Sequence, residues 1–281
     1  MRVLILGGRG QLAQAFVRHL TDHKLWAPGR EELDLCEPES LARAFVSFRP
    51  EVVINAAAYN LVDQAEKDFE AALRVNAWGP GHLARLCQEH GVFLLHFSTD
   101  YVFDGTKKAP YHEDDPPWPL NRYGLSKWLG EIAVREHLST YLLFRVSWLY
   151  GPGSRNFLAR LEKWCEQQSI LRLAYDEFSV PTYVDTVARV AWQAFEQGLT
   201  GLFHLVSRGF ASRLEWAKAY LELRGLEREI VPVPAASFSL PAKRPFFSVL
   251  CPEKIERALG IRMPYWHEDL ARFLARGGLC G

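Results

Sequence analysis

Near its N-terminus the chain reads Val3-Leu4-Ile5-Leu6-Gly7-Gly8-Arg9-Gly10-Gln11-Leu12-Ala13, and the reading of this stretch decides the fold. Four consecutive branched apolar residues suit a strand buried on both faces. Residues 12–20 then carry apolar side chains at helical spacing, so the glycines fall in a strand-to-helix turn. Gly7 lets the chain turn sharply, Gly10 lets backbone approach a pyrophosphate, and Ala13 keeps the helix close to the sheet. Amides at the helix start, reinforced by its dipole, then bind phosphate. Gly7, Gly10, Gln11 and Leu12 are therefore expected at a dinucleotide. A plain glycine turn would look similar; its place at the head of a strand–helix unit favours the nucleotide.

Outward from this turn the alternation continues. Short apolar runs at residues 52–54, 92–95 and 141–144 read as buried strands. Stretches 40–48, 70–90 and 125–137 read as helices between them. This pattern predicts an α/β fold, a Rossmann-type doubly wound parallel sheet. After residue 150 the rhythm changes: helices are expected at 156–167, 185–195, 213–223 and 267–276, with one strand at 201–206 and an apolar, Pro-rich stretch at 231–247. That part has too few buried strands for a sheet of its own. We expect residues 1–150 to form the dinucleotide-binding domain, with crossover segments from the second half, and residues 151–281 a smaller, mainly C-terminal substrate-binding cap.

Composition narrows the function classes. Among 281 residues, Lys+Arg and Asp+Glu are 33 each, so no net charge recruits nucleic acid or an anionic membrane. Cys36, Cys87, Cys165, Cys251 and Cys280 are scattered and odd in number, which suggests reduced thiols in a cytoplasmic protein. No apolar run approaches a membrane span, and no secretory leader is expected.

Cofactor choice and catalysis rest on a few side chains. The second strand, around Leu25-Trp26, runs into Ala27-Pro28-Gly29-Arg30 where NAD sites usually place an acid. Arg30 offers a forked donor to a 2′-phosphate, so NADPH is expected, with NADH the alternative that neighbouring Glu31 and Glu32 keep open. Asp34 and Leu35 fall near the adenine in this geometry, and Ala56, Ala57 and Ala58 let the cofactor lie close to backbone. Tyr123 and Lys127 are four apart, hence on one helix face. A nearby ammonium is expected to lower the phenol's pKa toward working pH. The same lysine can hold the nicotinamide ribose, and a Thr99 hydroxyl at a strand's end can bind the substrate carbonyl. Tyr-x-x-x-Lys alone occurs often by chance; with the glycine turn and Thr99 it gains meaning.

The motifs together resemble those of the extended short-chain dehydrogenase/reductases, and among them the dTDP-4-dehydrorhamnose reductase family. The resemblance covers nearly the whole chain. Its markers are Asn55-Ala56-Ala57-Ala58-Tyr59, Val75-Asn76, Ser98-Thr99-Asp100-Tyr101-Val102-Phe103-Asp104-Gly105, Tyr123-Gly124-Leu125-Ser126-Lys127, Gly130-Glu131, Arg145-Val146-Ser147-Trp148, Asn156-Phe157 and Pro181-Thr182. It implies a Thr99-Tyr123-Lys127 triad and reduction of a 4-keto-6-deoxy sugar on dTDP by NADPH, most directly dTDP-4-dehydro-L-rhamnose to dTDP-L-rhamnose. It further implies that Asp100, Tyr101, Trp148 and Asn156 face the sugar nucleotide, and it is compatible with a homodimer. Trp148 reads equally well as a core tryptophan. Some relatives carry a glutamate where this chain has Ala15, linked to metal, so no metal is expected here. Ser179-Val180 stands where the family often has Gly-Ser. Two rivals share the motifs: a sugar-nucleotide epimerase or dehydratase, and a non-catalytic NADP-binding subunit resembling the methionine adenosyltransferase regulator. Tyr101 stands where dehydratases place a glutamate, and Arg30 where epimerases place an acid.

Overall fold

A computed structural model describes residues 1–154 and 156–280. Its strands are β1 (Arg2–Leu6), β2 (Lys24–Trp26), β3 (Val52–Asn55), β4 (Phe93–Thr99), β5 (Tyr141–Val146), β6 (Leu149–Tyr150), β7 (Ile170–Ala174), β8 (Phe178–Ser179), β9 (Thr182–Tyr183), β10 (Gly201–His204), β11 (Ala211–Ser212) and β12 (Glu229–Val233). The helices are α1 (Gln11–His19), α2 (Pro38–Phe48), α3 (Val62–Ala65), α4 (Phe69–Leu73), α5 (Gly79–His90), α6 (Arg122–His137), α7 (Phe157–Gln167), α8 (Val184–Glu196), α9 (Arg213–Leu223), α10 (Glu253–Leu259) and α11 (Trp266–Ala275).

Six parallel strands form the central sheet in the order β2-β1-β3-β4-β5-β10. Period-two alternation divides their side chains between two layers. Val3, Ile5, Val52, Ile54 and Leu95 join one core with Phe16 of α1 and Val187 of α8. Leu4, Leu6, Val53 and Leu94 join the other with Leu41 of α2 and Leu83 of α5. Both faces are covered, which is why these strands read as unbroken apolar runs.

Strand order reverses between β1 and β3, and ligands of open α/β sheets sit beyond the strand ends at such a reversal. Gly7 lies there with φ +76°, and a Cβ on it would stand 2.8 Å from the Ala57 backbone. No other residue fits both demands. The neighbouring Gly8 answers to the fold instead: a Cβ there would meet the Ala27 carbonyl oxygen at 2.1 Å.

Two parts of the chain differ from the sequence expectation. Residues 70–90 do not form one helix, because a π-helical stretch, Arg74–Trp78, separates α4 from α5. Asn76 in that stretch bonds both backbone groups of Tyr59, at 2.8 and 2.9 Å, and the Ser126 hydroxyl at 2.9 Å. A local bulge of this kind re-aims one side chain at the cost of regular helix. The second half does build small sheets: β7 with β12, β8 with β11, and β6 with β9. It also supplies β10 to the main sheet and α8 against α1. Among the described residues no helix is long and apolar enough to cross a membrane.

Candidate active site

β4 runs on past Leu95 to Thr99, which delivers a hydroxyl to the strand's carboxyl end. α6 then brings Tyr123 and Lys127 beside it. The Asn121 side chain caps α6 by accepting from the Gly124 amide at 2.7 Å, and its own amide donates to the Lys243 carbonyl at 2.8 Å. Gly124 follows Tyr123 because a Cβ there would lie 2.1 Å from the Tyr101 carbonyl oxygen. Six residues on, Gly130 lets the helix touch Asn76, whose carbonyl oxygen would be 2.0 Å from a Cβ. Two glycines thus set the depth of α6, and with it the reach of Tyr123 and Lys127. Behind them a buried Glu131–Arg145 pair at 2.7 Å ties α6 to β5.

The electrostatics overturn one expectation. Burial pushes the Tyr123 phenol up to about 12, only partly offset by a hydrogen bond with the Thr99 hydroxyl. Lys127 does not pull it down. Its ammonium is itself buried, donates to the Phe97 carbonyl at 2.6 Å, and has its pKa lowered to about 8 by desolvation despite the Glu131 charge. Desolvation outweighs pair attraction when both groups leave water. Tyr123 therefore holds its proton at neutral pH, the state a proton donor needs.

Thr99, Asp100, Tyr101, Tyr123, Lys127, Trp148 and Asn156 line one cavity of about 320 Å³, with Gly10, Gln11, Leu12, Ala56, Ala57 and Ala58 on its other side. Gly7, Arg30, Asp34 and Leu35 do not line it. Leu35 turns its side chain into the core beside Leu33 and Leu41, so its side chain offers a ligand nothing. The exposed Arg30 pairs with Asp34 at 2.9 Å, and Asp34 also accepts from the Cys36 amide. Arg9 lies nearby, against Glu31.

Asp100 and Asn156 line the cavity and carry structural hydrogen bonds as well. Asp100 is buried, and its carboxylate accepts from Ser179 at 2.8 Å, Ser248 at 2.5 Å and Thr99 at 3.1 Å. It clasps two distant segments to the end of β4, with both serines on Oδ2 and Thr99 on Oδ1. Ser179, the departure from the family pattern, is one of its donors. The Asn156 side chain caps α7 at the Ala159 amide and donates to the Gly151 carbonyl. Thr99 has one proton, within reach of both Asp100 and the Tyr123 oxygen, so it must turn from both before it donates to a carbonyl.

Arg160 and Arg213 also line the cavity and were missed in the sequence. Arg213 lies 3.5 Å over the Trp148 ring, which stacks on Trp216 at 5.6 Å. The only sequence signal was Ser212–Glu215, a capping box that starts α9 and says nothing of where Arg213 points. Trp148 is half-buried and takes φ +37°, so it is both packing residue and wall. Trp148→Ala is expected to lose about 1–3 kcal/mol, less than a fully buried tryptophan would. It should also raise the KM of whatever fills the cavity, as melting curves and steady-state kinetics would show.

Comparison with known proteins agrees with this geometry. The model of the RmlD substrate binding domain family matches residues 1–278. A dTDP-4-dehydrorhamnose reductase of Burkholderia thailandensis is 36% identical over 95% of each chain. The spore coat polysaccharide biosynthesis protein SpsK of Bacillus subtilis is 34% identical over 97% of this chain and 96% of that protein. Among solved structures, a Bacillus anthracis dTDP-4-dehydrorhamnose reductase in complex with NADP superposes with a TM-score of 0.95 at 32% identity, covering 98% of this chain and 99% of that one.

Proposed function

We propose a function from one premise: the chain belongs to the RmlD substrate binding domain family. It is an NADPH-dependent dTDP-4-dehydrorhamnose reductase, an oxidoreductase that converts dTDP-4-dehydro-L-rhamnose to dTDP-L-rhamnose. The observation that supports this most is that Thr99, Tyr123 and Lys127 line the same cavity as the N-terminus of α1. That terminus suits a dinucleotide phosphate: Gly10 provides no side-chain cap and the first turn carries no acid.

Bound there, reduced nicotinamide would supply hydride to the keto carbon. In this reading Tyr123 donates its proton to the developing alkoxide oxygen, and burial keeps that proton in place at neutral pH. Lys127 moves from the Phe97 carbonyl to the cofactor ribose. Thr99 aims the keto oxygen. Trp148 forms the wall beside the sugar, and the guanidinium groups of Arg160 and Arg213 meet the diphosphate of dTDP with forked donors. We further propose a homodimer working in the cytoplasm, where its five free thiols stay reduced.

The test is direct. NADPH oxidation by the purified chain with dTDP-4-dehydro-L-rhamnose, with dTDP-L-rhamnose identified by mass, should be rapid; no turnover of any 4-keto sugar nucleotide would refute it. Cofactor choice gives a sharper expectation. Arg30→Ala should weaken NADPH more than NADH, by about 1–2 kcal/mol, the low end for a charge-assisted contact because Arg30 must first leave Asp34. Equal weakening of both cofactors would remove Arg30 from the 2′-phosphate.

A further inference from the structure

Between α1, α8 and α11 lies a second cavity, of about 540 Å³, that shares no lining residue with the catalytic one. Arg18, Arg189, Arg272 and Arg276 all line it. Their counter-charges are few. Asp185 lies between Arg18 at 2.7 Å and Arg276 at 3.3 Å and also accepts from the Tyr183 hydroxyl, so it already serves three donors. Arg272 pairs with the buried Asp269 at 2.7 Å. Exposed Arg189 makes no ion pair among the described residues. Four guanidinium groups thus face two carboxylates, an excess of two positive charges. The chain as a whole is neutral, with 33 residues of each sign, so this excess is not the echo of a basic protein. Ordinary surface ion pairs balance; gathering uncompensated like charges in a concave site costs free energy that an anion removes.

We propose that this cavity binds a dianionic phosphate group, carried either by free phosphate or by a nucleotide. Its two negative charges match the excess, and the planar guanidinium forks match tetrahedral phosphate oxygens two at a time. Arg189 and Arg276 are the residues with the most donors to spare. The proposal does not rest on the catalytic reading.

Titration calorimetry on the full chain tests it, at fixed ionic strength and with no nucleotide present, a double variant in this cavity separating it from phosphate sites in the catalytic cleft. Inorganic phosphate should then bind with a stoichiometry of about one. The double variant Arg189→Gln/Arg276→Gln should bind it at least tenfold more weakly, with turnover in phosphate-free buffer unchanged. ADP is the second probe: affinity at least tenfold above phosphate, lost in the same variant, assigns the site to a nucleotide, and equal affinity assigns it to free phosphate. Undiminished phosphate binding in the variant overturns the proposal, as does absence of binding in the wild type. If instead phosphate is silent and sedimentation shows a dimer that the double variant dissociates, the arginines serve a second copy of the chain and the phosphate site is wrong.

Discussion

Tyr123→Phe is expected to lower the turnover number by about 10²–10⁴-fold, the usual contribution of a positioned general acid. The substitution keeps the ring, its edge-on contact with Tyr101 at 6.0 Å, and the packing set by Gly124. It removes the one hydroxyl proposed to protonate the alkoxide. Cofactor affinity should stay near wild type, because the phenol acts on the sugar carbonyl, and a melting curve should show the fold intact. Rate should also be flat with respect to phenol ionisation near neutrality, since burial holds Tyr123 up at about 12. Reduction of the keto sugar by the variant at near wild-type rate would mean that the proton comes from elsewhere. If both proteins bind NADPH and neither reduces any keto sugar, the chain is a binding subunit despite its intact Thr99, Tyr123 and Lys127.

The parts of this molecule that were legible in its sequence are those fixed by local geometry. Strand faces alternate with period two, so Val3 and Ile5 could be told apart from Leu4 and Leu6 as facing one way, and the runs could be called buried. Gly7 was legible because a positive φ and a close backbone approach leave glycine alone able to serve. Tyr123 and Lys127 were legible because four residues on a helix make one face. What was missed depends on segments far apart in the chain. That Asp100 also ties the fold together shows only once Ser179 and Ser248 arrive from 79 and 148 residues away and donate to one of its oxygens. Arg160 and Arg213 reach the cavity from α7 and α9, whose local sequences are those of ordinary amphipathic helices packed on a core. The direction of the Tyr123 shift was missed for a related reason. Sequence spacing reports that an ammonium is near, whereas burial depends on everything packed around it.

Lys127→Met should act on rate, cofactor binding and stability together, and the signs differ with pH. Lys127 is proposed to hold the cofactor ribose, so its loss should weaken NADPH by about 10–100-fold, the equivalent of one charge-assisted hydrogen bond. Turnover should fall as well, since a misplaced nicotinamide loses its near-attack geometry. In the wild type the ammonium itself titrates at about 8 rather than 10.5, chiefly by desolvation. Catalytic efficiency should therefore decline above about pH 8 as the charge is lost, and the variant should lack that decline. Stability moves the other way. A lysine with a depressed folded pKa binds fewer protons folded than unfolded, so stability rises with pH between the two values. Its full contribution is present only above 10.5 and is lost as pH falls through about 8, a span worth about 3 kcal/mol. Relative to the Met variant, the wild type should thus gain stability from pH 8 to 10.5 in denaturant titrations while it loses activity over the same range. A stability difference that stays constant across that window would show that Lys127 is not desolvated as its contact with the Phe97 carbonyl requires. An activity profile unchanged by the substitution would remove Lys127 from the cofactor altogether.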